Sequence, residues 1–222
     1  MQVDEIQVVT FDCYGTLIDW DGGIGAAIRS VPSLEGCDHA RILTDRERLE
    51  HELLAGPYRP YSEVLGESLR RAAAEQAREV PDAQLVHFAA TMGMWPPFGD
   101  SREALRRLAS RFRLAILSNV ESATLERSVA LLGCDFDELV TAEAIESYKP
   151  ARKHFDEGRR RLALESDALL HVAGSLYHDV RPAQELGITA VWINRRDEVV
   201  PEDLSTDRVF PDLRSVADAL GV

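Results

Sequence analysis

The sequence predicts an α/β fold: a doubly wound, mostly parallel sheet with helices on both faces and a helical segment inserted after the first strand. Three observations lead there. From residue 112 onward, short apolar runs alternate with longer amphipathic stretches. A further apolar run lies near the N-terminus, at residues 6–11. Between them, residues 21–94 break the alternation and carry spaced apolar residues among charges, as helices do. Short apolar runs bounded by polar residues suit strands buried on both faces, and strands separated by helices assemble into parallel sheets.

Strands are expected at 6–11, 114–117, 139–140, 169–172 and 189–193. Helices are expected between them at 122–132, 153–164 and 181–186. Gly133 and Gly187 follow two of these helices, where C-terminal caps belong. Inside the insertion, helical patterns cover 44–54, 61–78 and 81–91. WPPFGDS, residues 95–101, reads as the return linker, stiffened by two prolines, with Asp100 or Ser101 placed to cap the next helix. The expected division is a core of residues 1–20 and 96–222 and an inserted helical domain of residues 21–95.

Composition narrows the function. With 45% apolar residues among 222, the chain can build a proper core. A formal net charge of -13 repels phosphate, which argues against nucleic-acid or anionic-membrane partners. Neither a signal peptide nor a membrane-spanning run is expected. Cys13, Cys37 and Cys134 are too few and too scattered for a disulfide framework or a zinc site. A cytoplasmic protein acting on a small molecule is the expectation.

In open α/β sheets ligands bind beyond the carboxyl ends of the strands, so the residues following each strand carry the argument. Asp12, Tyr14 and Thr16 follow the first strand, and Ser118 and Asn119 follow the second. Lys149 follows the third after a short delay, and Gly174, Ser175, Tyr177, His178 and Asp179 follow the fourth. Each has a plain structural explanation alone. Asp12 could form a turn, Lys149 could be a solvated loop lysine, and Asp179 could cap the next helix. Tyr177 and His178 fit packing roles. All four groups on one sheet edge make joint coincidence improbable. The set suits covalent catalysis by a carboxylate, with a lysine keeping it ionised, donors orienting an anion, and a second carboxylate activating water.

FDCYGTL, LAILSN, SYKP and HVAGSLYHD, taken with the helical insertion after the first of them, resemble the four motifs of the haloacid dehalogenase superfamily. The resemblance covers nearly the whole chain. It implies a Rossmann-like core with a helical cap of the C1 type, and Asp12 as nucleophile. Phosphatases of this superfamily carry a second Asp two residues after the nucleophile, where this chain has Tyr14. They also carry an acid five residues before the position of Asp179, where this chain has Gly174. Both departures resemble the (S)-2-haloacid dehalogenase branch, which needs no metal.

That resemblance implies roles for the remaining residues. Asp12 would displace halide, Asp179 would activate water, Lys149 would hold Asp12, and Thr16 and Ser175 would steady the carboxylates. Ser118 would bind the substrate carboxylate, Tyr14 would line the substrate site, and Asn119 and the cap residue Arg46 would lie near the halide. No cofactor is expected, and a homodimer is. Leu176 and Phe155 depart from the branch pattern, which carries Asn and Tyr there, so another small electrophile stays open as the substrate. Two alternatives also stay open: a Mg²⁺-dependent phosphatase acting on a small phosphate ester, and a binding protein that kept the fold.

Overall fold

The computed structural model describes residues 5–205 and 208–222. The first four residues of the expected core lie outside it. Six parallel strands form one sheet in the order β3-β2-β1-β4-β5-β6. They are β1 (Val8–Phe11), β2 (Arg113–Ser118), β3 (Glu138–Thr141), β4 (Leu169–Ala173), β5 (Thr189–Ile193) and β6 (Val209–Phe210). The four central strands are almost continuously buried, which is why each reads as an apolar run without alternation. Strand β1 sits between β2 and β4, with Thr10 opposite Ala115 on one side and His171 on the other. The chain runs outward from β1 to β3 and then returns to β4, so the strand order reverses between β1 and β4. A crevice opens at the carboxyl ends at such a switch point.

Between β1 and β2 lie α1 (Trp20–Arg29), α2 (His39–Leu54), α3 (Tyr61–Ala74) and α4 (Asp82–Ala90). Helix α1 was not expected, because WDGGIGAAIR holds three glycines and little helix propensity. One of them has a packing reason: a Cβ on Gly23 would come within 2.4 Å of the Trp95 ring. Ile24, Ala27 and Ile28 bury one face, and Asp19 caps the start by accepting from the Gly22 N–H at 3.0 Å. Helix α2 begins five residues before the expected start, because Asp38 takes the Arg41 N–H at 3.0 Å.

The remaining helices are α5 (Ser101–Ala109), α6 (Ser122–Leu132), α7 (Ala142–Ile145), α8 (Lys153–Leu162), α9 (Arg181–Glu185) and α10 (Leu213–Ala219). Gly133 closes α6 in the left-handed region with φ of 65°, and Gly187 follows α9 with φ of 72°. The linker differs from expectation. The Asp100 side chain does not cap α5. It instead accepts Arg195 through both oxygens, at 3.0 and 3.1 Å, and the Leu213 N–H at 2.7 Å. Ser101 donates to the Leu17 carbonyl at 2.7 Å. The linker is thus fastened to the segment after β5, to the start of α10 and to the loop after β1.

Leu170, fully buried in β4, packs where the central strands meet. Leu170→Ala should lower unfolding free energy by about 2–5 kcal/mol with an unchanged denaturant slope. Equilibrium urea unfolding checks this, and a loss under 1 kcal/mol would contradict it.

Candidate active site

The chain leaves β1 at Asp12, whose N–H donates to the Val172 carbonyl of β4 at 3.2 Å. It then turns tightly through Gly15, at φ of 89°, and returns with Leu17 N–H on the Cys13 carbonyl at 2.8 Å. A side chain at Gly15 would be strained in that conformation. The turn brings Thr16 back beside Asp12, and its hydroxyl donates to Asp12 Oδ2 at 2.8 Å. The same hydroxyl accepts the Gly174 N–H at 2.8 Å, which joins the turns after β1 and β4.

Lys149 lies at the centre and is 2% exposed. Its Nζ donates to Asp12 Oδ1 at 3.0 Å, to Asp179 Oδ1 at 2.5 Å and to the Leu117 carbonyl at 2.7 Å. An ammonium has three donors, and all three are used. Burial would lower the Lys149 ammonium, but Asp12 and Asp179 outweigh it and hold its pKa above the ordinary lysine value. Burial would raise the Asp179 carboxyl, but Lys149 and His171 hold it well below the usual carboxylate range. The arrangement places two buried carboxylates around one cation.

The backbone of Lys149 is fixed by Asn119. The Asn119 amide donates to the Lys149 carbonyl at 3.1 Å and accepts its N–H at 2.7 Å. Asn119 therefore positions the lysine loop, a use the sequence did not suggest. Ser118 is 1% exposed, and its hydroxyl has no partner among the described residues.

Ser175 differs from expectation. Its hydroxyl accepts the His178 N–H at 3.0 Å and lies 3.3 Å from His178 Nδ1. It caps the turn Leu176–Val180 and bonds neither carboxylate, because the turn needs that hydroxyl for its own first N–H.

Tyr14 lines the cavity but makes no hydrogen bond to Asp12. Its hydroxyl shares a hydrogen bond with Ser128 at 2.7 Å, and its ring meets Trp20 and Trp95 edge-on at 6.4 and 6.2 Å. Burial pushes this phenol well above its ordinary pKa, so it is a poor proton donor. Arg46, 1% exposed, reaches the same cavity from α2. It donates to Glu50 at 2.5 Å and lies over the Trp20 ring at 5.6 Å, while Tyr61 also donates to Glu50. Arg46 Nε is buried without a partner. Neither Glu50 nor Tyr61 could be picked out in the sequence, because a Glu four residues from an Arg is usually a solvated helix pair.

These groups line one cavity of about 530 Å³, with Asp12, Lys149, Ser118, Asn119 and Asp179 at its floor and Trp20, Arg46 and Tyr61 on its helical wall. Sequence reasoning also missed His171, inside β4. Its Nε2 lies 3.0 Å from Asp179 Oδ1, and its Nδ1 lies 2.9 Å from the Thr10 hydroxyl. A histidine within an apolar run gives no sign of its partner.

The donor set fits a divalent cation poorly. Lys149 Nζ already bridges the two carboxylates, and position 174 has no ligating side chain. A Cβ at Gly174 would stand 2.6 Å from the Gly15 carbonyl, so this backbone leaves no room for one. Among the described residues no group of three His, Cys, Asp or Glu is disposed to hold a metal ion.

The family model for haloacid dehalogenase-like hydrolases matches residues 6–187, four of whose loops build the floor just described. The chain belongs to that family. A haloacid dehalogenase-like hydrolase is thus the frame for the site. Known relatives include (S)-2-haloacid dehalogenase H-109 of Pseudomonas putida, 28% identical over 97% of this chain and 98% of that one. Haloacetate dehalogenase H-2 of Moraxella sp. (strain B) is 27% identical over 86% and 87%. L-2-haloacid dehalogenase of Xanthobacter autotrophicus shares the fold, with a TM-score of 0.82 at 20% identity over 97% of this chain and 98% of that one. That enzyme has also been solved with chloropropionic acid covalently bound.

Removing the central cation tests the electrostatics. Lys149→Met leaves two carboxylates buried together, which should cost about 3–5 kcal/mol at neutral pH. In the parent protein the depressed Asp179 stabilises above the ordinary carboxylate value and is lost only at more acidic pH. The raised Lys149 stabilises below the ordinary lysine value and is lost only at more alkaline pH. In the variant, burial and mutual repulsion raise the carboxyls instead, so protonation relieves it. Denaturant unfolding should show the gap to the parent narrowing from neutral toward about pH 5. A gap independent of pH would contradict this.

Proposed function

We propose that this haloacid dehalogenase-like hydrolase removes halide from a small 2-haloacid without a metal, through an ester on Asp12. The observation that carries the reading is Lys149, whose single ammonium holds two buried carboxylates at 3.0 and 2.5 Å. One carboxylate is placed to attack and the other to serve water.

An Asp12 oxygen attacks the α-carbon, and halide leaves with its electron pair, so no proton donor is needed. Tyr14, where a phosphatase has a second acid, fits this. Lys149 and the Thr16 hydroxyl hold the nucleophile in register. Among the described residues three cavity-lining donors have no partner, Ser118 Oγ, Arg46 Nε and Arg195 Nε; the first two are assigned to the substrate carboxylate and the departing halide respectively. Water then adds to the Asp12 carboxyl carbon and gives its proton to Asp179. Collapse of the adduct frees Asp12, and the proton returns to the product hydroxyl.

In this reading residues 21–95 are a cap that closes the site against water, over a core of residues 1–20 and 96–222. Ser62, at the start of α3, supports this through two bonds to Glu121, from its N–H at 2.8 Å and from its hydroxyl at 2.5 Å. The enzyme would work in the cytoplasm as a homodimer, apart from nucleic acid and membranes, as its charge of -13 favours. Among the described residues, no helix is long and apolar enough to cross a membrane.

Halide release from 2-chloropropionate should proceed equally with and without EDTA. Asp12→Asn should abolish it while the protein still folds. Asp179→Asn should release about one halide per site and then stall, because ester formation survives and hydrolysis does not. EDTA-sensitive phosphate release from a generic phosphate ester, with no halide release, would overturn the proposal.

A further inference from the structure

We infer that His171 is a positioning residue for the second half-reaction, and that it acts by claiming one oxygen of Asp179 so that the other is left to take the proton from water. The inference rests on the proposed reaction and extends it to a residue buried beneath the site, at 0% exposure, in the strand that precedes Asp179.

The hydrogen bonds define the proton positions. Thr10 has one hydroxyl proton. Its oxygen lies 2.9 Å from His171 Nδ1 and 3.3 Å from the Leu170 carbonyl. The Thr10 hydroxyl donates to that carbonyl. Asp179 Oδ1 can only accept, so His171 carries a proton on Nε2. That N–H donates to Asp179 Oδ1 at 3.0 Å. A ring without that proton would aim an Nε2 lone pair at a carboxylate oxygen. The edge of the His171 ring is also fixed by Phe155, which packs against it edge-on at 5.2 Å.

Asp179 Oδ1 therefore receives two donors, His171 Nε2 at 3.0 Å and Lys149 Nζ at 2.5 Å. Among the described residues none donates to Oδ2. A carboxylate with one oxygen saturated and the other bare has a defined basic lone pair. A carboxylate held by Lys149 alone could rotate and present either oxygen to the ammonium. Position matters for this group because its basicity is low, so correct placement of the water must supply what proton affinity does not. Asp12 is held by Lys149 and Thr16, not by His171, so the first half-reaction should not depend on it.

The experiment separates the two half-reactions. Single-turnover halide release from 2-chloropropionate and the decay of the Asp12 ester, followed by intact-protein mass spectrometry, are measured for the parent, His171→Asn and His171→Gln. Both replacements are polar, but only the Gln side chain reaches as far as Nε2. The expected result is unchanged halide release in all three. Ester decay should be slowed by roughly one to two orders of magnitude in the Asn variant and largely restored in the Gln variant. Nitrogen NMR of the parent should show a proton on Nε2.

Equal slowing of both half-reactions, unchanged ester decay in His171→Asn, or a ring without a proton on Nε2 would overturn the inference. If His171→Asn does not fold, Thr10→Val removes the hydroxyl that holds the ring in place at Nδ1 and should slow ester decay alone. Unaffected ester decay there overturns it too. A parent enzyme that releases no halide would instead refute the proposed function itself, and the inference with it.

Discussion

Two carboxylates share the interior of this protein because one ammonium sits between them. Asp12 arrives from β1, Asp179 from the turn after β4, and Lys149 from the loop beyond β3. Without the lysine, two buried charges of like sign would repel each other, and at least one would take up a proton. With it, the repulsion is offset, and the Asp179 carboxyl is held well below the usual carboxylate range. The third proton of the ammonium goes to the Leu117 carbonyl, so Lys149 has no freedom left to wander. The strand order makes the meeting possible. Placing β1 between β2 and β4 brings three distant chain segments to one crevice, and Asn119 locks the backbone of the lysine loop from the end of β2.

The helical wall answers the charged floor with a different electrostatic solution. Arg46 is as deeply buried as Lys149, but Glu50 neutralises it, and Tyr61 shares the same carboxylate. Trp20, Tyr14 and Trp95 form an aromatic wall beside it. A free arginine in such a place would carry a heavy desolvation penalty, whereas the paired one is neutralised and leaves Nε without a partner among the described residues. Ser118 keeps another on the floor. A buried donor left without a partner is costly in isolation, and such groups are tolerated where a ligand completes them. Floor and wall each hold one, which suits a small substrate with two electronegative ends.

Much of this was legible in the sequence, and what was not has identifiable causes. The central strands were readable because burial on both faces leaves unbroken apolar runs. Strand β6 was not, because two half-buried residues carry no pattern. Helix α1 hid behind three glycines, of which Gly23 is kept small by the Trp95 ring. Asp12, Lys149 and Asp179 could be singled out because the ends of strands are where ligands collect. Residues that act through partners were invisible: His171 looks like part of a strand, and Glu50 looks like a surface ion pair. Asn119 and Ser175 were found by position, yet their bonds go to backbone groups of Lys149 and His178, and only the folded turns reveal that. Asp100 was read as a helix cap, but it became an anchor for Arg195 and α10.

The assignment of Asp12 as a nucleophile, rather than as a charge that merely orients water, makes a distinct statement about where oxygen atoms come from. A single turnover of 2-chloropropionate, with enzyme in excess and in heavy-oxygen water, decides between them. If Asp12 forms the ester and water attacks its carboxyl carbon, the label enters the Asp12 side chain and the first-turnover 2-hydroxy acid carries none. Label in that product, with an unlabelled Asp12 peptide, would contradict the account.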